Sequence, residues 1–420
     1  MIKTLTVVGT RPEAIKMAPI VTVLSACPTF ESKICVTAQH RSLVDEVLDL
    51  WRIVPDYDLD VMRHAQALSD VTIAVLDGIG RILEQDPPDV VLVQGDTTTA
   101  MAAALAAFYQ LIPVAHVEAG LRTWDSANPF PEEVNRRVIG AIAALHFAPT
   151  QTAAANLLRE GVAGNTVHIT GNTIVDATLE ITRMLCGQPD PVVEGVPIGE
   201  KRIVLVTAHR RENQLKGMED ICRAVLRLRH LHNDVHFVVP THPNPVVSEL
   251  FHRLLGGHNG ITVTPALSYP QLLWTLRHSH LVLTDSGGLQ EEASLFERPV
   301  LVLRQTTERI EGIHSGLARL VGTDPGTVVA AASELLANRG EYHAGCRAPN
   351  LYGDGRAARR IVELLRQRFL GGRPSEPEFR GQLHIPKFEP VVPQLDSQEP
   401  DPRTQFFDMS EVWPRQNVRR

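Results

Sequence analysis

Residues 4–16 read Thr-Leu-Thr-Val-Val-Gly-Thr-Arg-Pro-Glu-Ala-Ile-Lys, a β-branched run that stops at Gly9 and turns at once into a helical pattern. The unit recurs. Short apolar runs at 34–37, 90–93, 114–117 and 168–170 are each followed by a helix candidate. Strands alternating with helices predict right-handed βαβ units and a parallel sheet. A polar stretch with Pro and Gly, 187–200, interrupts the pattern, which restarts with runs at 203–206, 235–239, 261–264, 281–283 and 300–303. The expected fold is therefore α/β: two Rossmann-like doubly wound domains, 1–186 and 201–354, joined by the linker 187–200. They would face each other across a cleft, because such sheets bind ligands beyond the carboxyl ends of their strands. Residues 355–371 read as a last amphipathic helix, with Ile361, Leu364 and Leu365 on one side. Beyond it, eight prolines from Pro374 to Pro414 and no regular period predict an irregular, extended or disordered tail, 372–420, with Phe406, Phe407 and Trp413 as docking points.

The chain's 420 residues exceed the roughly 250 to 300 at which one core stops growing, in keeping with two domains. A content of 44% hydrophobic and 21% charged residues is that of an ordinary globular protein. No run approaches the ~18 apolar residues of a membrane span, so no membrane partner is expected. The first residues enter a strand without a signal-peptide pattern, and a cytoplasmic location is expected. Five scattered cysteines without CxxC spacing argue against disulfides or a thiolate zinc site. A net charge of −7 gives no general field for nucleic acid, so an anionic ligand would need local cations.

Such cations sit where strands end. In Gly9-Thr10-Arg11-Pro12-Glu13-Ala14-Ile15-Lys16, backbone N–H groups and the helix dipole favour an anion, and Arg11 and Lys16 add charge. The motif is not GxGxxG, which disfavours a nicotinamide cofactor. In Asp285-Ser286-Gly287-Gly288-Leu289-Gln290-Glu291-Glu292 two glycines allow close backbone approach and Ser286 can donate, which suits a diphosphate; Glu292 could accept from ribose hydroxyls. Residues 207–213, with His209 and Arg210, concentrate positive charge at a third strand end. The plain alternative for each is a helix start with surface cations or a Gly turn. Three carboxylates, Asp96, Glu118 and Glu132, end or follow first-domain strands. Any one of them could be a helix cap. Grouped, they would raise one another's pKa values, so that a protonated acid and an ionised base coexist near neutral pH.

At these residues the chain strongly resembles the bacterial non-hydrolysing UDP-N-acetylglucosamine 2-epimerases, which have the two-domain GT-B fold. GTRPEAIKMAP, AQHR, GDTTT, HVEAGLRTWD, ITGNTIVDA, AHRREN, DSGGLQEEA, TTER and YGDGRA occur in the family's order, and the match spans residues 3–365. The resemblance implies Asp96, Glu118 and Glu132 as acid/base carboxylates, with Lys16 and His209 beside the reacting sugar and diphosphate. It implies that Arg11, Ser286, Gly287, Gly288 and Glu292 hold UDP, with Arg210, His242 and Arg309 in the same substrate site. It further implies a UDP-amino sugar as partner, a homodimer, and neither metal nor redox cofactor. The family reaction eliminates UDP across C1 and C2 to an enzyme-bound 2-acetamidoglucal, then re-adds it with the proton on the other face.

Departures from the family are local. Gln305 stands for an acidic residue and Ile310 for a proline in the usual RDTTERPE, and Ser294 replaces a common proline. Bacterial members carry a second UDP-N-acetylglucosamine site, for which Gln39, His40, Arg41 and Gln66 match while Ser42 and Ala65 replace longer polar groups. A weakened second site is the expectation. Competing readings are a hydrolysing epimerase releasing N-acetylmannosamine, an epimerase for a modified UDP-hexosamine, a GT-B glycosyltransferase and a non-catalytic nucleotide-sugar sensor.

Overall fold

The computed structural model describes residues 1–380 except 38–40, 62–65, 211–212, 243, 339, 341, 343–345, 347–350 and 373–375. Its first sheet contains β1 (Ile2–Val8), β2 (Phe30–Val36), β3 (Tyr57–Asp58), β4 (Val90–Gln94), β5 (Val114–Val117), β6 (Leu145–Ala148) and β7 (Val167–Ile169). Its second contains β8 (Arg202–Thr207), β9 (Val235–Pro240), β10 (Ile261–Thr264), β11 (Ser279–Thr284), β12 (Val300–Val302) and β13 (Ala318–Leu320). All pairings are parallel. Helices cover both faces, so the strands are buried on both sides and read as near-continuous apolar runs: every residue of β4, Val-Val-Leu-Val-Gln, is buried.

The strand orders fix where a ligand can enter. The first sheet runs β3-β2-β1-β4-β5-β6-β7 and the second β10-β9-β8-β11-β12-β13. Each reverses direction once, between β1 and β4 and between β8 and β11. A crevice opens beyond the carboxyl ends at such a switch point. The residues there are Gly9–Arg11 after β1, Gly95 and Asp96 after β4, Ala208–Arg210 after β8, and Asp285 and Ser286 after β11. Two doubly wound sheets facing in this way make the GT-B arrangement.

The connection between the halves follows from burial. One apolar cluster includes Val8 and Ile174 of the first half and Ile203, Leu205, Tyr269 and Leu273 of the second. The helix Ala357–Leu370 does not stay with the second sheet; it packs on Arg11–Ala26 and Thr173–Leu185. Its first amides, Ala357 and Ala358 N–H, donate to Asp176 at 3.2 and 2.9 Å, so a carboxylate of the first half caps it. Over 376–380 the tail has no regular secondary structure, and it docks through a residue the sequence did not single out: Phe379 is 3% exposed and its N–H donates to Ile169 O at 3.0 Å. Phe406, Phe407 and Trp413 lie outside the described residues.

Candidate active site

Glu118 follows the last residue of β5 with φ +63°, a left-handed backbone that costs a non-glycine residue about 1 kcal/mol or more and clusters at functional sites. The turn carries its carboxylate into a nest of donors. Lys16 Nζ (2.5 Å), Asn172 Nδ2 (2.8 Å) and Arg309 Nη2 (3.1 Å) reach Oε1, and Gln94 Nε2 (2.5 Å) reaches Oε2. Burial opposes the charge, but Lys16 and Arg309 outweigh it and hold the Glu118 carboxyl down at about 2. Glu291 Oε1 shares Asn172 (3.0 Å) and Arg309 Nε (2.9 Å), and its Oε2 lies 3.7 Å from Lys16. Arg309 also binds Glu308, which Arg304 holds from the other side at 3.0 Å. Lys16, Asn172 and Glu118 belong to the first half and Glu291, Glu308 and Arg309 to the second, so this network closes the cleft.

Asp96 and Glu132 form a second group. Arg136 places Nε (2.8 Å) and Nη2 (2.7 Å) on Asp96 Oδ2, while its Nη1 holds Glu133 at 3.0 Å. Glu132 opens the helix Glu132–Ile142, and its Oε2 is buried without a hydrogen-bond partner. Burial, then the nearby Asp96 charge, raises the Glu132 carboxyl above the usual carboxylate range. The adjacent Glu133 is different in kind. It accepts from Thr123 N–H (2.9 Å) and Trp124 N–H (3.1 Å) and so anchors the preceding loop. Of the three carboxylates the sequence grouped, one is pushed up and another pulled down, and the cause of the second is cations rather than its fellow carboxylates.

The turn after β1 departs from the sequence reading in one respect. Gly9 N–H (3.1 Å) and Thr10 N–H (2.7 Å) donate to Glu13 Oε2, and Thr97 Oγ1 donates to Oε1 at 2.6 Å. These turn amides are therefore occupied by a buried carboxylate of their own helix. Lys16 is committed to Glu118 and Glu291, while Arg11 faces Glu292, Glu46 and Tyr269 and keeps Nη2 buried without a hydrogen-bond partner. Glu292, buried beside Tyr269 and Arg11, is raised to about 7 by desolvation.

The free amides lie instead on the second half. Ser286 caps the helix Gly287–Leu295 by position, yet its side chain makes no bond to the helix's first amides, and no other side chain among the described residues does. A methyl added to Gly288 would meet nothing within 4 Å, whereas one on Gly287 would come within 2.9 Å of the Arg309 guanidinium. Gly288 thus leaves room above the helix end, and Gly287 lets Arg309 cross beneath it. Buried Asp285 organises the facing loop: its Oδ2 accepts from His209 N–H (2.9 Å), Arg210 N–H (2.9 Å) and Asn213 Nδ2 (2.8 Å). His209 stacks on His242 at 5.6 Å, with its Nδ1 3.3 Å from Asp285 Oδ1. The result is a cleft in which helix-end amides lie on the second half and Asp96, Glu118 and Glu132 on the first, with cations and further carboxylates on both.

A profile of the UDP-N-acetylglucosamine 2-epimerases matches residues 22–366. The chain belongs to the UDP-N-acetylglucosamine 2-epimerase family. It is 49% identical over 369 residues to the Escherichia coli K12 UDP-N-acetylglucosamine 2-epimerase, covering 87% of this chain and 98% of that one. S. aureus MnaA, solved with UDP, superposes with a TM-score of 0.86 at 43% identity, covering 90% of this chain and 100% of that one. The Neisseria meningitidis UDP-GlcNAc 2-epimerase, solved bound to UDP-GlcNAc, gives 0.84 at 41% identity over 87% of this chain and 99% of that one.

Sequence reasoning did not single out Arg136, Glu291, Asn172 and Asp285, which the structure brings into this cleft. Asn172 lies within ITGNTIVDA and Asp285 and Glu291 within DSGGLQEEA, so for these three the motif was a usable signal. Of the residues expected to form a second nucleotide-sugar site, Gln39 and His40 lie outside the described residues, and so does the side chain of Arg41. Gln66 Nε2 donates to Val61 O at 2.9 Å, within its own loop.

Proposed function

We propose that this chain interconverts UDP-N-acetylglucosamine and UDP-N-acetylmannosamine by eliminating UDP across C1 and C2 and re-adding it. The carrying observation is the division of labour among the carboxylates. Glu132 is half-buried, has a buried Oε2 without a partner among the described residues and binds its proton more tightly than an ordinary carboxyl. Glu118 is held ionised among cations and donors.

The C2 hydrogen is not beside a carbonyl and becomes acidic only as the C1–O bond breaks and positive charge grows at C1. Amides at Gly287 and Gly288, with Arg210 and His209, take the departing diphosphate charge, an electrostatic contribution typically worth about 10² or more in rate. Proton transfer at C2 falls to Glu132 with Asp96 beside it, because burial and the Asp96 charge make the Glu132 carboxylate a stronger base than an ordinary one. Glu118, pulled down to about 2, is a weak base; its charge keeps Lys16 and Arg309 in place around the sugar. Arg11 and Glu292 lie together where ribose hydroxyls would be held, and His242 buttresses His209 through the ring stack. Elimination requires only that a proton and UDP leave together and return.

The protein acts as a homodimer in this reading. The packed helices Leu68–Gln85 and Thr98–Tyr109 expose Ile73, Phe108 and Tyr109, with Leu111 just beyond, an apolar surface suited to a second copy. No helix among the described residues is long and apolar enough to cross a membrane.

Incubation with UDP-N-acetylglucosamine in deuterated water, followed by NMR, tests the proposal. Deuterium at C2 of both epimers, with the nucleotide still attached, is expected. Free N-acetylmannosamine plus UDP would favour the hydrolysing reaction, and unchanged protonated substrate would refute both.

A further inference from the structure

The stretch 376–380 lies against the outer edge of the first sheet. Thr170 N–H turns inward to Ala148 O at 2.9 Å, whereas Ile169 O turns outward and accepts from Phe379 N–H. Arg360 ties the same points together. Its Nε donates to Pro377 O at 2.6 Å, its Nη1 to Thr170 O at 3.1 Å, and its two terminal nitrogens hold Asp354 at 2.6 Å each. The guanidinium carbon lies 5.9 Å from the Phe379 ring centroid. Arg356 adds an ion pair to Glu376 at 3.6 Å. An open edge is commonly covered in natural sheets, and such a cover would explain the backbone bond.

The ring does more than cover an edge. A methyl on Gly171 would sit 3.5 Å from Phe379 Cγ and 3.3 Å from Gly353 Cα, so the ring lies directly on the bare backbone of Gly171. Gly171 takes φ +84°, a conformation that glycine adopts at little cost. The next residue is Asn172. Its N–H donates to Tyr352 O at 2.6 Å, and its side chain bridges Glu118 Oε1 and Glu291 Oε1 across the cleft. One residue therefore separates the tail's buried ring from an amide in the catalytic cleft. More than a tenth of this chain has no counterpart in the E. coli relative, which is itself 98% covered.

We infer that Phe379 is a positioning residue for epimerisation: the tail segment 376–380 wedges the Gly171 turn and thereby holds Asn172 Nδ2 between Glu118 and Glu291. The inference rests on the reading of this cleft as the epimerase site. A small displacement of a supporting group costs rate rather than substrate affinity when the group orders the reacting constellation.

The test uses the full-length chain and UDP-N-acetylglucosamine. Steady-state kinetics and Tm are compared for wild type, Phe379→Ala, Phe379→Leu, Asn172→Ala and the double variant Phe379→Ala/Asn172→Ala. Phe379→Ala should lower kcat by about five- to tenfold with KM within about twofold, and Phe379→Leu should restore most of the loss. The double variant should match Asn172→Ala alone, because the two residues act through one contact. A fall in Tm with unchanged kcat well below Tm would overturn the inference, as would multiplicative losses in the double variant. A wild type without turnover would remove the epimerase reading and this inference with it; the other failures remove the inference alone.

Discussion

Replacing Glu118 by Gln is the most informative change in the cleft, because its effects on stability, binding and turnover should separate. The carboxylate accepts from Lys16, Asn172 and Arg309 on one oxygen and from Gln94 on the other. An amide offers one oxygen and one NH2, so whichever way it is placed a donor faces a donor. Breaking a buried ion pair by removing one partner typically costs about 3–5 kcal/mol. Here Glu291 still faces both cations, which argues for the low end. A loss of about 3 kcal/mol in a domain of this size lowers Tm by roughly 6 to 12 °C. Lys16 and Arg309 meanwhile lose a counter-charge and become freer to meet a diphosphate, so UDP affinity should be kept or improved. Turnover should fall by about 10²-fold or more, since the cations no longer hold the geometry that the reacting sugar requires. Calorimetry with UDP, differential scanning fluorimetry and steady-state kinetics read the three quantities. Turnover within threefold of wild type, or UDP binding lost together with activity, would refute the reasoning.

Glu132→Gln should behave oppositely on stability: its Oε2 makes no hydrogen bond and burial already disfavours its charge, so Tm should stay within about 2 °C while kcat falls by about 10²-fold or more. A large Tm loss with retained turnover would contradict both roles. His116, fully buried with Nε2 2.7 Å from Gly95 O, is lowered by burial to about 3. The unfolded imidazole therefore binds a proton before the folded one does, and stability present above pH 6.5 is lost as pH falls toward 3, by at most roughly 5 kcal/mol. Urea unfolding from pH 7 to 4 should show that slope, and His116→Gln should flatten it by close to one proton; an unchanged slope would exclude His116 as the source. Starting from UDP-N-acetylmannosamine alone, the reverse reaction should proceed without a lag. If Ser42 and Ala65 cost a second nucleotide sugar one or two charge-assisted contacts, each would lower its affinity about tenfold or more. A lag abolished by traces of UDP-N-acetylglucosamine would show that the second site operates.

Most of the strands were legible because each is a β-branched run bounded by turn residues. Three escaped the reading: β3 is a two-residue edge strand, and β6 (Leu-His-Phe-Ala) and β13 (Ala-Arg-Leu) are short and contain no β-branched residue. At the site, residue types at strand ends were readable, but their partners were not. Nothing in Pro-Glu-Glu distinguishes Glu132, aimed at Asp96, from Glu133, which anchors Thr123 and Trp124; only the helix phase decides. Glu13 looked like an ordinary helix residue beside a phosphate turn, yet it fills that turn itself. Phe379 was hidden by composition, because a Pro-rich segment without period gives no sign that one aromatic has a groove to enter.

In the proposed reading the chemistry belongs to the cleft rather than to either domain, because its charged groups come from both halves. The first half alone would leave Lys16 and Glu118 paired but without Arg309, and the second alone would leave Arg309 and Arg304 against Glu291 and Glu308 with no acid facing the sugar. Each half already pairs its own charges, so closing the cleft buries no unpaired charge, which would cost several kcal/mol, and near balance is kept. Substrate adds the negative charge of a diphosphate to that near balance. The free amides at Gly287 and Gly288 are neutral donors, and they can receive the added charge without drawing Lys16 or Arg309 away from Glu118. In the proposed reaction the leaving group and the sugar would thus be held by different means. That separation would let UDP depart and return while the groups around C2 keep their places.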